Sequence, residues 1–140
     1  MWKFPDVLVL SSSEAMRNNL SEALRLNGMN PVPCATLTEA HMFLLQVSFS
    51  TVFCDDVLCD GTYRDLVEIT RDEFPQVPVV VISPVGDWNE YLKALGAGAF
   101  DYVGVPFRNG EIERVLQGAL VEHLQRKIVS DAEKVAEAQA

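Results

Sequence analysis

Two adjacent carboxylates, Asp55 and Asp56, end a short apolar run formed by residues Thr51–Cys54. The run favours a strand and carries no charge, which is typical of a central strand in a parallel sheet that is covered on both faces. The carboxyl end of such a strand lies at the edge where open α/β sheets place their sites. The pair is therefore a candidate reactive centre, and the alternative is a pair of solvated loop carboxylates.

Serine hydroxyls stand at the ends of two other apolar runs. Val7–Leu10 leads into Ser11-Ser12-Ser13, and Val79–Ile82 leads into Ser83. A hydroxyl-rich loop at the start of a helix suits a phosphate group, which leaves a flavodoxin-like FMN site as one interpretation. That loop has no glycine to let the backbone approach a phosphate, and no base lies beside its serines in the sequence to activate a nucleophile.

The elements that must position these residues alternate regularly between strand and helix. Five apolar runs are each followed by helical spacing, which predicts a parallel sheet with right-handed crossovers. Asn30–Ala35 contains two prolines and fits an edge strand, because proline has no amide to donate. We predict a three-layer α/β/α fold with a five-stranded parallel sheet in the flavodoxin-like order 2-1-3-4-5. The predicted helix N-caps are Ser12 or Ser13, Thr36, Asp87 and Asn109, and the predicted C-caps are Gly28 and Gly96. We predict a loop over Val57–Gly61 and a helix from Thr62 to Phe74. On the fourth helix, Leu92 and Leu95 are predicted to be buried.

Length and charge narrow the class of protein. A chain of 140 residues suits one domain, and its net charge of −9 argues against direct binding of nucleic acid. It contains no run long enough for a membrane span, and its start does not resemble a signal peptide, so we expect a cytoplasmic protein without membrane contact. The three scattered cysteines are predicted to be reduced, with Cys54 buried in its strand and Cys59 in a loop.

In this order the residues resemble the receiver domain of two-component response regulators, over about Asp6 to Leu124. The resemblance implies that Asp55 accepts a phosphoryl group from a histidine kinase, that Ser83 moves to bond the phosphate, and that Tyr102 changes rotamer with it. It also implies a cis bond before the proline of a Pro-Phe pair. The segments that support it are Asp55, Ser83, Gly96–Ala99 and Tyr102–Phe107.

The chain departs from this pattern where the family holds its cations. Ser11 and Ser12 replace two acidic residues that bind Mg²⁺ together with the phosphoacceptor, and Val105 replaces a lysine. Mg²⁺ prefers anionic oxygens, and Asp55 is the only carboxylate of that set that remains in the sequence. We therefore predict that Mg²⁺ binds weakly at most and that no cofactor is required. Phosphorylation of Asp55 is predicted to be weakened or lost, because the metal normally neutralises the transferring group. Asp56 is predicted to point away from Asp55, because side chains alternate along a strand. We also expect an ionised Asp55 and a fold that does not need Mg²⁺.

Two further predictions concern partners and domain limits. Trp88 and Tyr91, early in the fourth helix, are candidate contact residues, because aromatic residues are enriched at binding hot spots. The resemblance implies a histidine kinase or another signalling protein as partner, and a homodimer through the face made by the fourth helix, fifth strand and fifth helix. Residues 1–129 are predicted to form the receiver-like domain, and residues 130–140 a helix-prone tail or the start of a linker.

The preferred interpretation is an atypical receiver that acts by protein contact and is not an enzyme. The first alternative is a working phosphoacceptor response regulator, and a less favoured one is the FMN-binding protein. Purified protein that is yellow would favour FMN, whereas rapid phosphorylation of Asp55 would favour the working receiver.

Overall fold

Seven strands are present in a computed structural model that describes residues 4–108 and 110–139. They are β1 (Asp6–Leu10), β2 (Asn30–Cys34), β3 (Thr51–Asp55), β4 (Val57–Leu58), β5 (Gly61–Thr62), β6 (Val79–Ser83) and β7 (Asp101–Gly104). Five of them form one parallel sheet in the order β2-β1-β3-β6-β7, and β4 and β5 pair separately as an antiparallel hairpin. The order of the five sheet strands is the predicted 2-1-3-4-5.

Five helices connect or follow these strands: α1 (Glu14–Leu26), α2 (Leu37–Gln46), α3 (Tyr63–Glu73), α4 (Trp88–Ala97) and α5 (Glu111–Gln139). The first four begin at side chains that accept backbone amide hydrogen bonds, namely those of Ser13, Thr36, Thr62 and Asp87. Such caps satisfy amides that have no partner within the helix. The predicted caps at Ser13, Thr36 and Asp87 are therefore confirmed, and the one at Asn109 lies outside the described residues.

The core forms two layers because side chains alternate across the pleated sheet. One face of the sheet, with Leu8, Val52 and Val81, packs against α2, α3 and α4. The opposite face, with Val9 and Phe53, packs against α1 and α5. This gives the predicted three layers, and it makes β3 a fully covered central strand.

Three local predictions were wrong. The C-cap of helix α4 is Gly98, whose φ of 109° is left-handed, and the predicted cap Gly96 lies inside the helix. Leu92 is exposed, because α4 turns the face that carries Ala94, and not the face that carries Leu92, toward the core. The segment after Asp55, predicted as a loop, forms the β4–β5 hairpin.

Helix α5 continues through the position predicted as a domain boundary. Its 29 residues run from Glu111 to Gln139 without a break. The division into residues 1–129 and 130–140 stays a prediction. Among the described residues, no helix is long and apolar enough to cross a membrane.

Candidate functional site

The register of the sheet brings several polar residues to one edge. Leu10 aligns with Cys54, Asp55 with Ile82, and Ser83 with Gly104. The residues that end or follow these four parallel strands therefore meet at the carboxyl edge, where α/β sheets place ligand sites.

One carboxylate oxygen of Asp55 is held by the loop between β1 and α1. Its Oδ2 accepts a hydrogen bond of 2.9 Å from Ser11 Oγ and one of 3.0 Å from the Ser12 amide. Ser11 is fully buried, and its Oγ also accepts a bond of 3.1 Å from the Ser13 amide. The serine loop is thus occupied with the protein's own carboxylate and with the cap of α1, which leaves it poorly suited to a flavin phosphate.

Opposing influences act on the pKa of Asp55, and the net effect raises it. Burial is the largest cause of the rise, and the nearby charge of Asp56 adds to it. The hydrogen bonds from Ser11 and Ser12 and the charge of Arg17 act in the other direction. Burial raises a carboxyl pKa because it removes water from the charged form.

Arg17 is a site residue that the sequence reasoning missed. Its guanidinium donates a hydrogen bond of 2.7 Å to the carbonyl oxygen of Ser11. The bond places a permanent positive charge beside the loop that holds Asp55. An arginine in the first turns of a helix that follows a candidate site loop is a signal that could have indicated it.

Asp56 has different partners from Asp55. Its Oδ2 accepts a hydrogen bond of 2.9 Å from Ser83 Oγ, and its Oδ1 accepts one of 2.9 Å from the Val57 amide. The two neighbouring carboxylates therefore bond to opposite sides of the edge, Asp55 to the β1–α1 loop and Asp56 to the end of β6. Ser83 Oγ is already engaged and also accepts the Val85 amide at 3.1 Å.

Val105 and Tyr102 lie on the β7 side of the same edge. Val105 packs in part against the apolar core layer of α1 and α5, and its bond to Pro106 is cis, as predicted. The hydroxyl of Tyr102 accepts the Gly86 amide at 3.3 Å, so Tyr102 joins the loop after β6 to β7.

The residues around Asp55 do not fit a magnesium site. Mg²⁺ requires near-octahedral oxygen coordination that usually includes carboxylates. The β1–α1 loop offers hydroxyl and amide donors that point their hydrogens at Asp55, and Asp56 is bonded to Ser83. Across residues 4–108 and 110–139, no group of three His, Cys, Asp or Glu side chains is arranged to hold a metal ion.

The hairpin after Asp55 is attached to a different helix. Asp60 accepts hydrogen bonds from the amides of Leu37 and Thr38, at 2.9 Å and 3.2 Å, and one from the Thr38 hydroxyl. These bonds lower the pKa of Asp60, because a carboxylate that accepts several donors is stabilised in its charged form. The β4–β5 turn is thereby fixed to the start of α2.

An exposed aromatic group lies next to this edge, on α4 and β7. Trp88 is 68% exposed and stacks on Tyr91 with ring centroids 5.2 Å apart. Tyr91 in turn meets the edge of Tyr102 at 6.3 Å. The stack links the exposed Trp88 to the residue that holds the loop after β6.

The five-stranded parallel sheet and the relatives of this chain place it among the receiver domains of response regulators. No protein-family model matches the chain. A putative NtrX-like response regulator of Rickettsia typhi is 31% identical over 134 residues, which are 93% of this chain and 28% of that protein. The KDP operon transcriptional regulatory protein KdpE of Escherichia coli is 32% identical over 120 residues, which are 84% of this chain and 52% of KdpE.

Solved structures of response-regulator proteins have a fold similar to that of this chain. The beryllofluoride-activated NtrC4 receiver domain dimer superposes with a TM-score of 0.73 and 26% identity, covering 86% of this chain and 98% of that one. A response regulator from Thermotoga maritima gives a TM-score of 0.72 and 28% identity, covering 84% and 98%. The chain therefore matches whole receiver domains, but it spans about half or less of the two full-length relatives.

Proposed function

We propose that the chain is a two-component receiver module in which Mg²⁺-dependent phosphorylation of Asp55 is weak or lost, and which signals through protein contacts. The observation that carries this proposal is the set of donors at Asp55 Oδ2. Ser11 Oγ and the Ser12 amide bond this oxygen on the side where the family resemblance implies acidic metal ligands. Val105 occupies the position for which the resemblance implies a lysine.

The chemistry of phosphoryl transfer explains the expected loss. Negative charge is spread over the oxygens of the transferring group, and catalysis consists mainly of positioning and neutralising that charge. In this chain two hydroxyl side chains and one apolar side chain, those of Ser11, Ser12 and Val105, stand at the three positions that differ. Asp55 keeps the position of a nucleophile but lacks the usual neutralising groups.

A specific observation supports the alternative of a slow, metal-independent phosphoacceptor. Ser11 and Ser12 both bond Oδ2, and no bond from the described residues reaches Asp55 Oδ1, which leaves that oxygen to attack a phosphodonor. Arg17 supplies one nearby positive charge, since it lowers the pKa of Asp55. A guanidinium binds phosphate oxygens well, because its donors form a planar fork.

One experiment separates these two outcomes. The chain is incubated with acetyl phosphate, with and without Mg²⁺, and intact-mass spectrometry measures a gain of one phosphoryl group, with Asp55→Asn as control. Our proposal predicts little or no modification under either condition. Rapid modification that requires Mg²⁺ and Asp55 would overturn it, and slow modification that ignores Mg²⁺ but is lost in Arg17→Gln would favour the alternative.

The partner is proposed to be a histidine kinase or another signalling protein that docks on the surface of Trp88 and Tyr91. This surface also suits a homodimer, because the exposed Trp88 ring, stacked on the part-buried Tyr91, offers a large apolar area with little conformational entropy to lose. Light scattering of Trp88→Ala tests the homodimer. A mass equal to that of the unmodified chain at every concentration would leave a heterologous partner as the role of this surface.

A further inference from the structure

A separate cavity of about 380 Å³ lies at the amino edge of the sheet, opposite to the edge of Asp55. It is found where α3 and α4 end and β6 begins, and Arg126 of α5 contributes to its lining. Val79 in this lining is the first residue of β6 and Ser83 at the carboxyl edge is the last, so about 13 Å of strand separates the two edges. The volume is within the range of about 300–1,000 Å³ that small-molecule sites occupy.

The floor of the cavity is apolar. It is formed by side chains that also belong to the core layer beneath α3 and α4, namely those of Val67, Val77, Val79 and Ala97. The three valines are almost fully buried, so core packing fixes the shape of the floor before any ligand arrives. An apolar lining with a small number of placed polar groups is typical of sites for small organic molecules.

The end of α4 leaves one wall of the cavity without large side chains. Residues 96–98 are Gly-Ala-Gly, and a Cβ added at Gly96 would meet no described atom within 4 Å. Glycine weakens a helix interior, and here no side chain occupies the space that it leaves. That space is therefore open to a ligand.

Both charged residues among the described residues that line the cavity are arginines, in a chain whose net charge is −9. Arg71 is in the last turn of α3, and its side chain is 66% exposed. The side chain of Arg126 is 33% exposed. Each Nε pairs with an acidic side chain of the same helix, that of Arg71 with Asp72 at 3.2 Å and that of Arg126 with Glu122 at 2.7 Å. These carboxylates lie outside the lining of the cavity.

The terminal NH2 groups of the two guanidinium groups remain for a ligand. A guanidinium carries five N–H donors, and within residues 4–108 and 110–139 only the Nε of each of these arginines has a hydrogen-bond partner. The acidic partners hold the arginines without filling the remaining donors. A planar fork of N–H groups matches the two oxygens of a carboxylate.

We propose that this cavity binds a small organic carboxylate with an aromatic or branched apolar body. The guanidinium groups of Arg71 and Arg126 hold the carboxylate, and the valine floor takes the apolar body. The ligand joins the ends of α3 and α4 to α5, so its binding stabilises the packing of the helix that carries Trp88. This site goes beyond the receiver function proposed above and does not require phosphorylation of Asp55, because it lies at the opposite edge of the sheet.

NMR titration of the nitrogen-15-labelled chain with sodium phenylacetate tests the site. Phenylacetamide, which keeps the ring but not the charge, and inorganic phosphate, which keeps the charge but not the ring, are the matched probes. We expect saturable shifts in the amide signals of Gly96, Ala97 and Gly98, with a Kd on the order of 1–10 mM for a probe of about ten non-hydrogen atoms. Phenylacetamide and phosphate should each bind at least fivefold more weakly.

Substitutions locate the two parts of the site. Arg71→Gln and Arg126→Gln should each weaken phenylacetate binding, the latter at least fivefold because Arg126 is the less exposed of the two. Gly96→Leu should abolish binding, because leucine fills the open space beside α4. Arg114→Gln is the matched control and should leave the Kd unchanged. Arg114 also pairs with a glutamate of α5, Glu111 at 3.9 Å, and lies about 18 Å along the helix from Arg126.

The amide spectrum of each variant shows whether it is folded, so a loss of binding can be separated from a loss of structure. An unmodified chain without saturable shifts at probe concentrations tenfold above the expected Kd would overturn the proposal. Equal affinity for phenylacetamide, or an unchanged Kd in folded Arg126→Gln, would also overturn it. Phosphate binding as tight as that of phenylacetate would show a site for anions in general, which contradicts the proposed selection for an organic acid.

Discussion

Ser83 gives its hydroxyl hydrogen bond to Asp56, over 2.9 Å, and not to the neighbouring Asp55. The resemblance to receiver domains assigns the Ser83 hydroxyl to a phosphate on Asp55. In this chain that hydroxyl must first leave a carboxylate partner. The bond between Asp56 and Ser83 therefore opposes any movement of Ser83 toward Asp55.

A double-mutant cycle measures this opposition. We expect Asp56→Ala and Ser83→Ala each to lower the free energy of unfolding, and the pair to be coupled by about 0.5–1.5 kcal/mol, because they share one hydrogen bond. Urea denaturation of the four proteins provides the values. The same cycle with Asp55→Ala and Ser83→Ala is the control, and coupling there equal to that of Asp56 would contradict the assignment.

Asp55→Asn should be more stable than the unmodified chain at neutral pH. The folded pKa of Asp55 is raised above its unfolded value, so the folded state holds the proton more tightly, and stability falls as pH rises through the interval between the two pKa values. Asparagine does not ionise, and its side-chain oxygen can still accept the hydrogen bonds from Ser11 and Ser12. We expect a gain below about 1 kcal/mol at pH 7, since solvent reaches this partly exposed group.

The pH dependence of that gain is the decisive measurement. The two proteins should converge in melting temperature below about pH 3, where the carboxyl is largely protonated in both the folded and the unfolded state. A difference in melting temperature that stays constant from pH 7 to about pH 3 would show that the effect is not due to ionisation.

Restoring the three replaced residues should restore Mg²⁺ binding. In the triple variant Ser11→Asp, Ser12→Asp and Val105→Lys, two new carboxylates join Asp55 and Asp56 at one edge together with one lysine. Without metal we expect a loss of order 1 kcal/mol in stability, because like charges crowd the site. Added Mg²⁺ should recover it, and isothermal titration should show binding that the unmodified chain lacks. If Mg²⁺ neither binds to the variant nor changes its stability, the backbone of the β1–α1 loop excludes the ion.

Thiol labelling should report one accessible cysteine. Cys34 and Cys54 are buried, and burial raises the pKa of Cys34 to about 12 and that of Cys54 well above its usual range. Cys59 is exposed in the β4–β5 turn. Iodoacetamide at pH 8 should add one group to the folded chain and none to Cys59→Ser, as measured by mass spectrometry. Labelling of two or three sites without denaturant would indicate that β3 opens readily.

The two glycines near the end of α4 should respond to alanine in opposite ways. Gly96→Ala should stabilise by about 0.5–1 kcal/mol, because Gly96 lies in the helix with open space around it. Gly98→Ala should destabilise by about 1–3 kcal/mol, since its φ is left-handed and a Cβ would lie 3.0 Å from Val67 Cγ1. Thermal melts of the two variants form a matched pair, and equal shifts would be inconsistent with the cap at Gly98.

The sheet was predictable because its signals are local. A β-branched run such as Val79–Ile82 indicates a buried strand, and the prolines of Asn30–Cys34 indicate an edge. The β4–β5 hairpin was missed because its strands have two residues each and depend on a contact from Asp60 to α2, more than twenty residues away in sequence. The exposure of Leu92 likewise follows from where α4 meets the sheet, which helical periodicity alone does not specify.

The site shows the same division. The positions of Ser11 and Asp55 at strand ends could be predicted, because parallel strands bring their carboxyl ends together. Their bonding could not, because a serine and a carboxylate offer many pairings, and the direction of each side chain depends on the loop backbone. Arg17 was overlooked because its spacing fits a solvated helix face, and its bond to the Ser11 carbonyl depends on how α1 packs against β1.

The attachment of Asp60 to the start of α2 makes the exchange of two backbone amides sensitive to the position of the β4–β5 turn. The amide protons of Leu37 and Thr38 are held by the Asp60 side chain, in the turn that follows β3 and the short β4 strand. Any event that lifts this turn removes the carboxylate partner of both amides, so a rise in their hydrogen–deuterium exchange rates reports movement of the turn. NMR can thus follow opening of the β4–β5 turn at two amides that belong to another element, the start of α2.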